Sequence, residues 1–101
     1  MDVHPQLVCQ SSNFDSLTLT WSGRATRYKV EYRRVNEEWG PNHRTKYCNC
    51  GAPSIEIITG LNPSSAYVFR LECANEYGDF AGPGQEYTFH TRGEVGVLRR
   101  M

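Results

Sequence analysis

A chain of 101 residues with eleven basic and eleven acidic side chains carries no net charge, so no overall field draws it to nucleic acid or to an anionic membrane. The length suits one domain with a core of its own, and nowhere do about 18 apolar residues run together as a membrane span would require. The opening MDVHPQLVCQ lacks the basic start and apolar stretch of a secretory signal, and we expect the chain to be a domain excised from a larger multidomain protein.

Strand-like alternation begins early. Leu7 and Cys9 follow Pro5 as a short first strand. In SLTLTWS, Leu17, Leu19 and Trp21 share one face while Ser16, Thr18 and Thr20 take the other, as a pleated strand with one buried side demands. Ser22-Gly23 ends that strand, and residues 23–27 form a short loop. Tyr28, Val30 and Tyr32 then alternate with Lys29, Glu31 and Arg33, apolar inward and charged outward. From residue 36 to 51 the pattern fails: Glu37-Glu38-Trp39-Gly40-Pro41-Asn42 reads as a loop, and residues 44–50 as at best an edge strand. Ile55 and Ile57 share a face that Ile58 does not, so strict alternation cannot bury all three. Counting back from Leu61 puts Ile58 inward, with a bulge as the way to bury another.

Gly60-Leu61-Asn62-Pro63-Ser64-Ser65 is turn chemistry. After it Tyr67, Phe69, Leu71 and Cys73 alternate with Val68, Arg70, Glu72 and Ala74, a strand with one buried face. A tyrosine straight after such a corner is the pattern of a tyrosine corner, its hydroxyl bonding backbone a few residues upstream. A Gly-rich loop spans residues 76–84, Tyr87 and Phe89 face inward in QEYTFHT, and from Gly93 no partner pattern remains. No stretch shows helical periodicity. The expectation is an all-β, seven-stranded antiparallel sandwich over residues 1–92, followed by a linker or tail over 93–101.

Leu7, Trp21, Tyr28-x-Val30-x-Tyr32, Gly60-Leu61-x-Pro63, Tyr67-x-Phe69-x-Leu71, Asn75 and Gly78, ending at Thr91, resemble the fibronectin type III signature over roughly residues 4 to 92. The resemblance implies an immunoglobulin-like sandwich of two sheets. Trp21, Tyr28, Tyr32, Leu61, Phe69 and Leu71 then fill the core, with Tyr67 at the corner. The chain departs from the family in having four cysteines, with Cys9 and Cys73 where Val and Ala are common. The loop that carries Arg-Gly-Asp in one integrin-binding member reads Glu76-Tyr77-Gly78-Asp79-Phe80 here, and no Trp-Ser-x-Trp-Ser motif occurs. Neither integrin binding by that route nor a membrane-proximal cytokine-receptor role is implied.

Cys9, Cys48, Cys50 and Cys73 match no small disulfide scaffold, and the one Asn-x-Ser sequence, Asn62-Pro63-Ser64, is blocked as a glycosylation acceptor by its proline. Both facts lean towards a reducing compartment; the extracellular part of a receptor or matrix protein is the alternative. A Cys9–Cys73 bridge would have to span sheets about 10 Å apart, whereas a disulfide wants Cα atoms within roughly 7 Å, so two buried free thiols are the simpler reading. Cys48-Asn49-Cys50 with His43 nearby falls short of a structural zinc site, which takes four ligands, commonly from pairs spaced by two or more residues. No metal, cofactor or catalytic constellation is expected, because a packed sandwich of this size keeps its Ser, His and Asp residues on outer faces and loops.

Function is therefore expected on the loops of a rigid scaffold. Tyr77 and Phe80 stand among Gly78, Gly82 and Gly84 beside Asp79, and exposed aromatics among small residues make good contact anchors. Phe80 is equally suited to tucking onto the end of the sandwich. Arg24 in the 23–27 loop and Trp39 complete the candidate partner-binding set, with Trp39 favoured as a cover for the sheet. Outward Lys29, Glu31, Arg33, Arg70 and Glu72 read as a solvated face. The expected role is a non-catalytic protein-interaction, adhesion or scaffold module, monomeric in isolation, contacting a protein partner or adjacent domains. A passive spacer between domains is the alternative.

Overall fold

Among the described residues seven strands form: β1 (Val8–Ser12), β2 (Leu17–Thr20), β3 (Arg27–Arg34), β4 (Arg44–Asn49), β5 (Ile55–Ile58), β6 (Ala66–Cys73) and β7 (Glu86–His90). The computed structural model describes residues 6–22, 27–40, 43–49, 55–80, 82 and 84–93. The strands make two antiparallel sheets, ordered β1-β2-β5 and β4-β3-β6-β7. Among the described residues there is no helix, and the architecture is the seven-stranded sandwich.

Between the sheets, Leu17 and Leu19 of β2 and Ile58 of β5 face Tyr28, Val30 and Tyr32 of β3 and Tyr67, Phe69 and Leu71 of β6, all buried. Trp21 lies just beyond the end of β2 and meets Tyr28 edge-on, with ring centroids 5.4 Å apart. Tyr32 stacks on Phe69 at 5.3 Å. The register of β5 resolves the isoleucine conflict. Ile58 sits opposite Leu17, while Ile57 and Ile55 sit opposite the outward Thr18 and Thr20, and both stay exposed. The sheet's bulge falls in β1, where the pairing shifts between Cys9 and Ser11, so it buries no second isoleucine.

The crossover between sheets is tied by side chains. Tyr67 Oη accepts a hydrogen bond from the Asn62 N–H at 2.8 Å. Thr91, itself buried, donates its hydroxyl to the Asn62 carbonyl at 2.6 Å and accepts from the Ser65 N–H at 3.0 Å. Backbone bonds from Leu61 N to Asp15 O and from Arg92 N to Asn13 O join this corner to the β1–β2 turn. Both peptide groups of Asn62 are thereby satisfied at a point where the chain leaves the ladder, as partly buried backbone requires.

Candidate functional site

The antiparallel register of β3 and β6 sets Lys29 opposite Glu72, Glu31 opposite Arg70 and Arg33 opposite Val68 on the outer face of the larger sheet. Sequence pattern reads this as a solvated face, and the structure corrects that. Glu31 and Glu72 are only 7% and 5% exposed: Arg70, His43 and Lys29 pair with them, and aromatic side chains from two loops pack on those partners. Trp39, carried by the turn after β3, lies over the Arg70 guanidinium at 3.8 Å and the Arg33 guanidinium at 4.9 Å from its ring centroid. Its indole N–H donates to Glu86 of β7 at 2.8 Å. Arg33 holds that turn in place by donating to the Glu37 carbonyl at 2.6 Å, and Glu37 in turn accepts from the Arg34 N–H. At the other end, Phe80 packs under Lys29, whose ammonium stands 4.8 Å from its ring centroid.

Beneath this roof the charges are paired in a network. Glu31 accepts from Arg70 Nε at 2.9 Å and from His43 Nε2 at 3.1 Å. His43 Nδ1 accepts the Gly40 N–H at 3.0 Å, so the ring hydrogen resides on Nε2 and points at the carboxylate. Both ring nitrogens are thus committed within the fold, which leaves His43 no lone pair for a metal. Among the described residues no group of three or more His, Cys, Asp or Glu side chains is placed to hold one. Lys29 pairs with Glu72 at 3.4 Å. Burial and then the hydrogen bond with Glu31 push the Glu72 carboxyl above the usual carboxylate range. Burial works the same way on Glu31, but the hydrogen bonds with Arg70 and Glu72 and the nearby cations outweigh it and hold Glu31 below that range. The two neighbouring acids are thus pushed in opposite directions, as adjacent carboxyl groups with unequal shares of nearby cations are.

The loop between β6 and β7 is built differently. Asn75 Oδ1 accepts from the N–H groups of Tyr77 and Asp79, both at 2.9 Å. The Asn75 N–H donates to the Asp79 carbonyl at 2.7 Å, and the Gly78 N–H to the Asn75 carbonyl at 3.0 Å. Gly78 completes this turn at a φ of 88°, in the region that suits glycine. The result is a stiff tip that carries Tyr77 with 81% of its surface exposed and Asp79 exposed beside it. Phe80, by contrast, returns to the sheet: its backbone bridges to Ala74, and its ring meets Tyr47 of β4 at 6.0 Å.

The candidate partner-binding residues therefore separate. Tyr77 and Asp79 stand together on the turn, Phe80 is half-buried at its base, and Trp39 is half-buried on the opposite part of the same sheet face among Arg33, Arg70 and Glu86. Arg24 lies outside the described residues. Two more surface residues stand out: Tyr47, which the sequence pattern misses, and Arg27, which it places only as the end of the candidate 23–27 loop. Tyr47, 58% exposed, sits on an edge strand whose lack of alternation hides it. Arg27 is exposed, and its guanidinium stands 5.8 Å from the Tyr47 ring centroid and 5.6 Å from that of Phe80; its only signal is a lone cation at a strand start.

Cys9, Cys48 and Cys73 are free thiols. Burial, reinforced by the Glu56 carboxylate, pushes the Cys48 thiol up to about 12, and burial also raises Cys9 and Cys73. Such thiols are poor nucleophiles. Cys50, the other half of the Cys48-Asn49-Cys50 pair, lies outside the described residues.

No curated protein matches the chain in sequence. Among solved structures, a computationally redesigned β-sandwich protein superposes with a TM-score of 0.73 at 17% identity, covering 99% of this chain and 100% of its own. A structure described as that of a myokine gives a TM-score of 0.75 at 9% identity, over 91% of this chain and 99% of its own. At such identities the likeness is one of fold. The family model of the fibronectin type III domain matches residues 3–90, the span that holds all seven strands, the buried Trp21 and the Tyr67 corner. The chain belongs to the fibronectin type III family.

Proposed function

We propose that this fibronectin type III domain is a non-catalytic protein-binding module of a larger protein, with Tyr77 as its contact anchor and residues 93–101 as a linker or tail. One observation carries the reading: a tyrosine 81% exposed on a turn closed by its own hydrogen bonds. A tyrosine has few rotamers to lose, and on a turn whose backbone is already closed it buries a large area at a small ordering cost. The neighbouring Asp79 adds a charge that orients the encounter. Trp39 and Phe80 serve the fold, since each is already stacked on cations of the sheet.

The test is Tyr77→Ser in the full chain, read by affinity for partners recovered with the wild-type domain as bait and by urea denaturation. Binding should weaken about tenfold or more, the scale of a central aromatic contact. Stability should stay within about 0.5 kcal/mol, as for other exposed positions. Unchanged affinity for every partner, combined with sensitivity to lengthening or shortening the chain, would favour the spacer role instead.

A further inference from the structure

β4 ends the larger sheet in the order β4-β3-β6-β7, so one side of its backbone pairs with no strand among the described residues. It carries the usual protections of an edge only in part. Its pairing with β3 runs unbroken from Arg44 opposite Tyr32 to Asn49 opposite Arg27, with no bulge and no proline. What it does carry is positive charge: Arg44 and Lys46 are exposed and share one face. Lys46 is tied to Glu56 at 3.0 Å, whereas neither Arg44 nor Arg27 has an ion-pair partner among the described residues. Tyr47 on the other face, with Phe80 beside it, holds the Arg27 guanidinium near two rings.

A second copy fits this edge badly. Antiparallel pairing of β4 with itself centred on Thr45 or Lys46 puts Arg44 opposite Lys46 or Lys46 opposite Lys46, like charges that are destabilising when directly opposite, and the register centred on Tyr47 leaves Arg44 without a partner strand to neutralise it. The same charges suit a strand of opposite sign. We propose that β4 takes up an extended acidic segment of a partner protein by strand addition. Main-chain hydrogen bonds form along the open edge, alternate carboxylates meet Arg44 and Lys46, and apolar side chains lie along Tyr47 with Arg27 at their end. This rests on the reading of the domain as a protein-binding module, and it places part of the contact two strands away from the β6–β7 turn.

The experiment selects from a displayed random dodecapeptide library on the full chain, then measures the recovered peptides against four variants. The expected result is peptides with Asp or Glu at alternate positions. Their affinity should fall about tenfold or more on an Arg27→Gln/Arg44→Gln double variant, recover on Arg27→Lys/Arg44→Lys, and fall similarly on Tyr47→Thr. N-methylation of alternate peptide amides should abolish binding, because one set of those amides feeds the edge. Recovery of no peptide, of peptides without acidic excess, or of peptides indifferent to the double variant or to N-methylation overturns the proposal. The fourth variant, Tyr77→Ser, separates the two claims. Loss there with no response to the arginines leaves the Tyr77 anchor standing and removes the β4 edge. The reverse pattern leaves the edge and removes the anchor.

Discussion

Removing one oxygen from Tyr67 tests how the two sheets are joined. Its ring is 1% exposed and packs on Phe69 with centroids 6.5 Å apart, so Tyr67→Phe keeps the packing and deletes only the acceptor for the Asn62 N–H at 2.8 Å. A single hydrogen bond contributes about 1 kcal/mol net, and an N–H left unpaired in a dry site adds about 1–3 kcal/mol more. Asn62 is an exposed residue, so water can reach the freed group and most of the second amount is not incurred. The expected loss is about 1–2 kcal/mol, which lowers the melting temperature by roughly 4–8 °C for each kcal/mol in a domain of this size. Urea denaturation followed by tryptophan fluorescence should show the midpoint falling with an unchanged slope. Thr91→Val removes two bonds at the same corner and should cost about 2 kcal/mol. Because the two side chains grip the adjacent peptide groups of the one residue Asn62, the double variant should lose less than the sum, by roughly 0.5 kcal/mol or more. A Tyr67→Phe loss below about 0.3 kcal/mol, or strict additivity, would mean that the corner is held by packing alone.

The carboxylate pair on the sheet face should respond to pH in opposite senses. Glu72, with its carboxyl raised, contributes stability that is present at low pH and lost as pH rises through its folded pKa; Glu31, lowered, contributes stability lost as pH falls through its own. Glu72→Gln should therefore flatten the decline in urea midpoint as pH rises above the ordinary carboxylate range, relative to wild type, and an identical slope in the two proteins would refute the raised carboxyl. Glu31→Gln should destabilise by about 2 kcal/mol at neutral pH, because it leaves Arg70 under its roof without a counter-ion; a neutral effect measured by urea denaturation would show that water solvates that guanidinium freely. Trp39→Ala should cost about 2 kcal/mol through the loss of two guanidinium stacks and the Glu86 bond, and an unchanged melting temperature would show that the ring adds nothing to the sheet it covers. Cys48, with its thiol near 12, should carry about a thousandfold less thiolate at pH 8 than an ordinary cysteine, so mass spectrometry after brief alkylation should find it modified only in denaturant.

How much of the fold is readable in the chain depends on the range of the forces involved. The inward set of Leu17, Leu19, Tyr28, Val30, Tyr67, Phe69 and Leu71 is legible because period-two alternation is a local consequence of burying one face of a strand. The Ile55-Glu56-Ile57-Ile58 stretch is legible only in part, since its register depends on Leu17 across the sheet rather than on its own pattern. β4 has the weakest local signal, because an edge strand with exposed Arg44, Thr45, Lys46 and Tyr47 buries too little to impose alternation. The outer face misleads for a different reason. Lys29, Glu31, Arg70 and Glu72 look solvated in any window of sequence, and only the cross-strand pairing of these charges, with Trp39 and Phe80 folding back from the loops after β3 and β6 onto Arg70 and Lys29, takes them out of solvent.

Trp39 and Tyr77 show why composition alone does not separate a cover from an anchor. Each is an aromatic in a polar loop next to a glycine, preceded by glutamate, and each would bury much area on a partner. The difference lies in what the register puts below. Under Trp39 the β3–β6 pairing and the neighbouring β7 bring Arg33, Arg70 and Glu86 within reach of one indole, so its ring faces and its N–H are satisfied before any partner arrives. The turn that holds Tyr77 spends its hydrogen bonds on its own backbone, and the phenol ring has no ring or cation contact among the described residues. Removing the cations beneath Trp39, as in an Arg33→Ser/Arg70→Ser variant, should free that ring and make the loop after β3 sticky, whereas no change below Tyr77 is needed to make it available. The contact anchor we propose for this sandwich is thus the aromatic that the fold itself leaves unused.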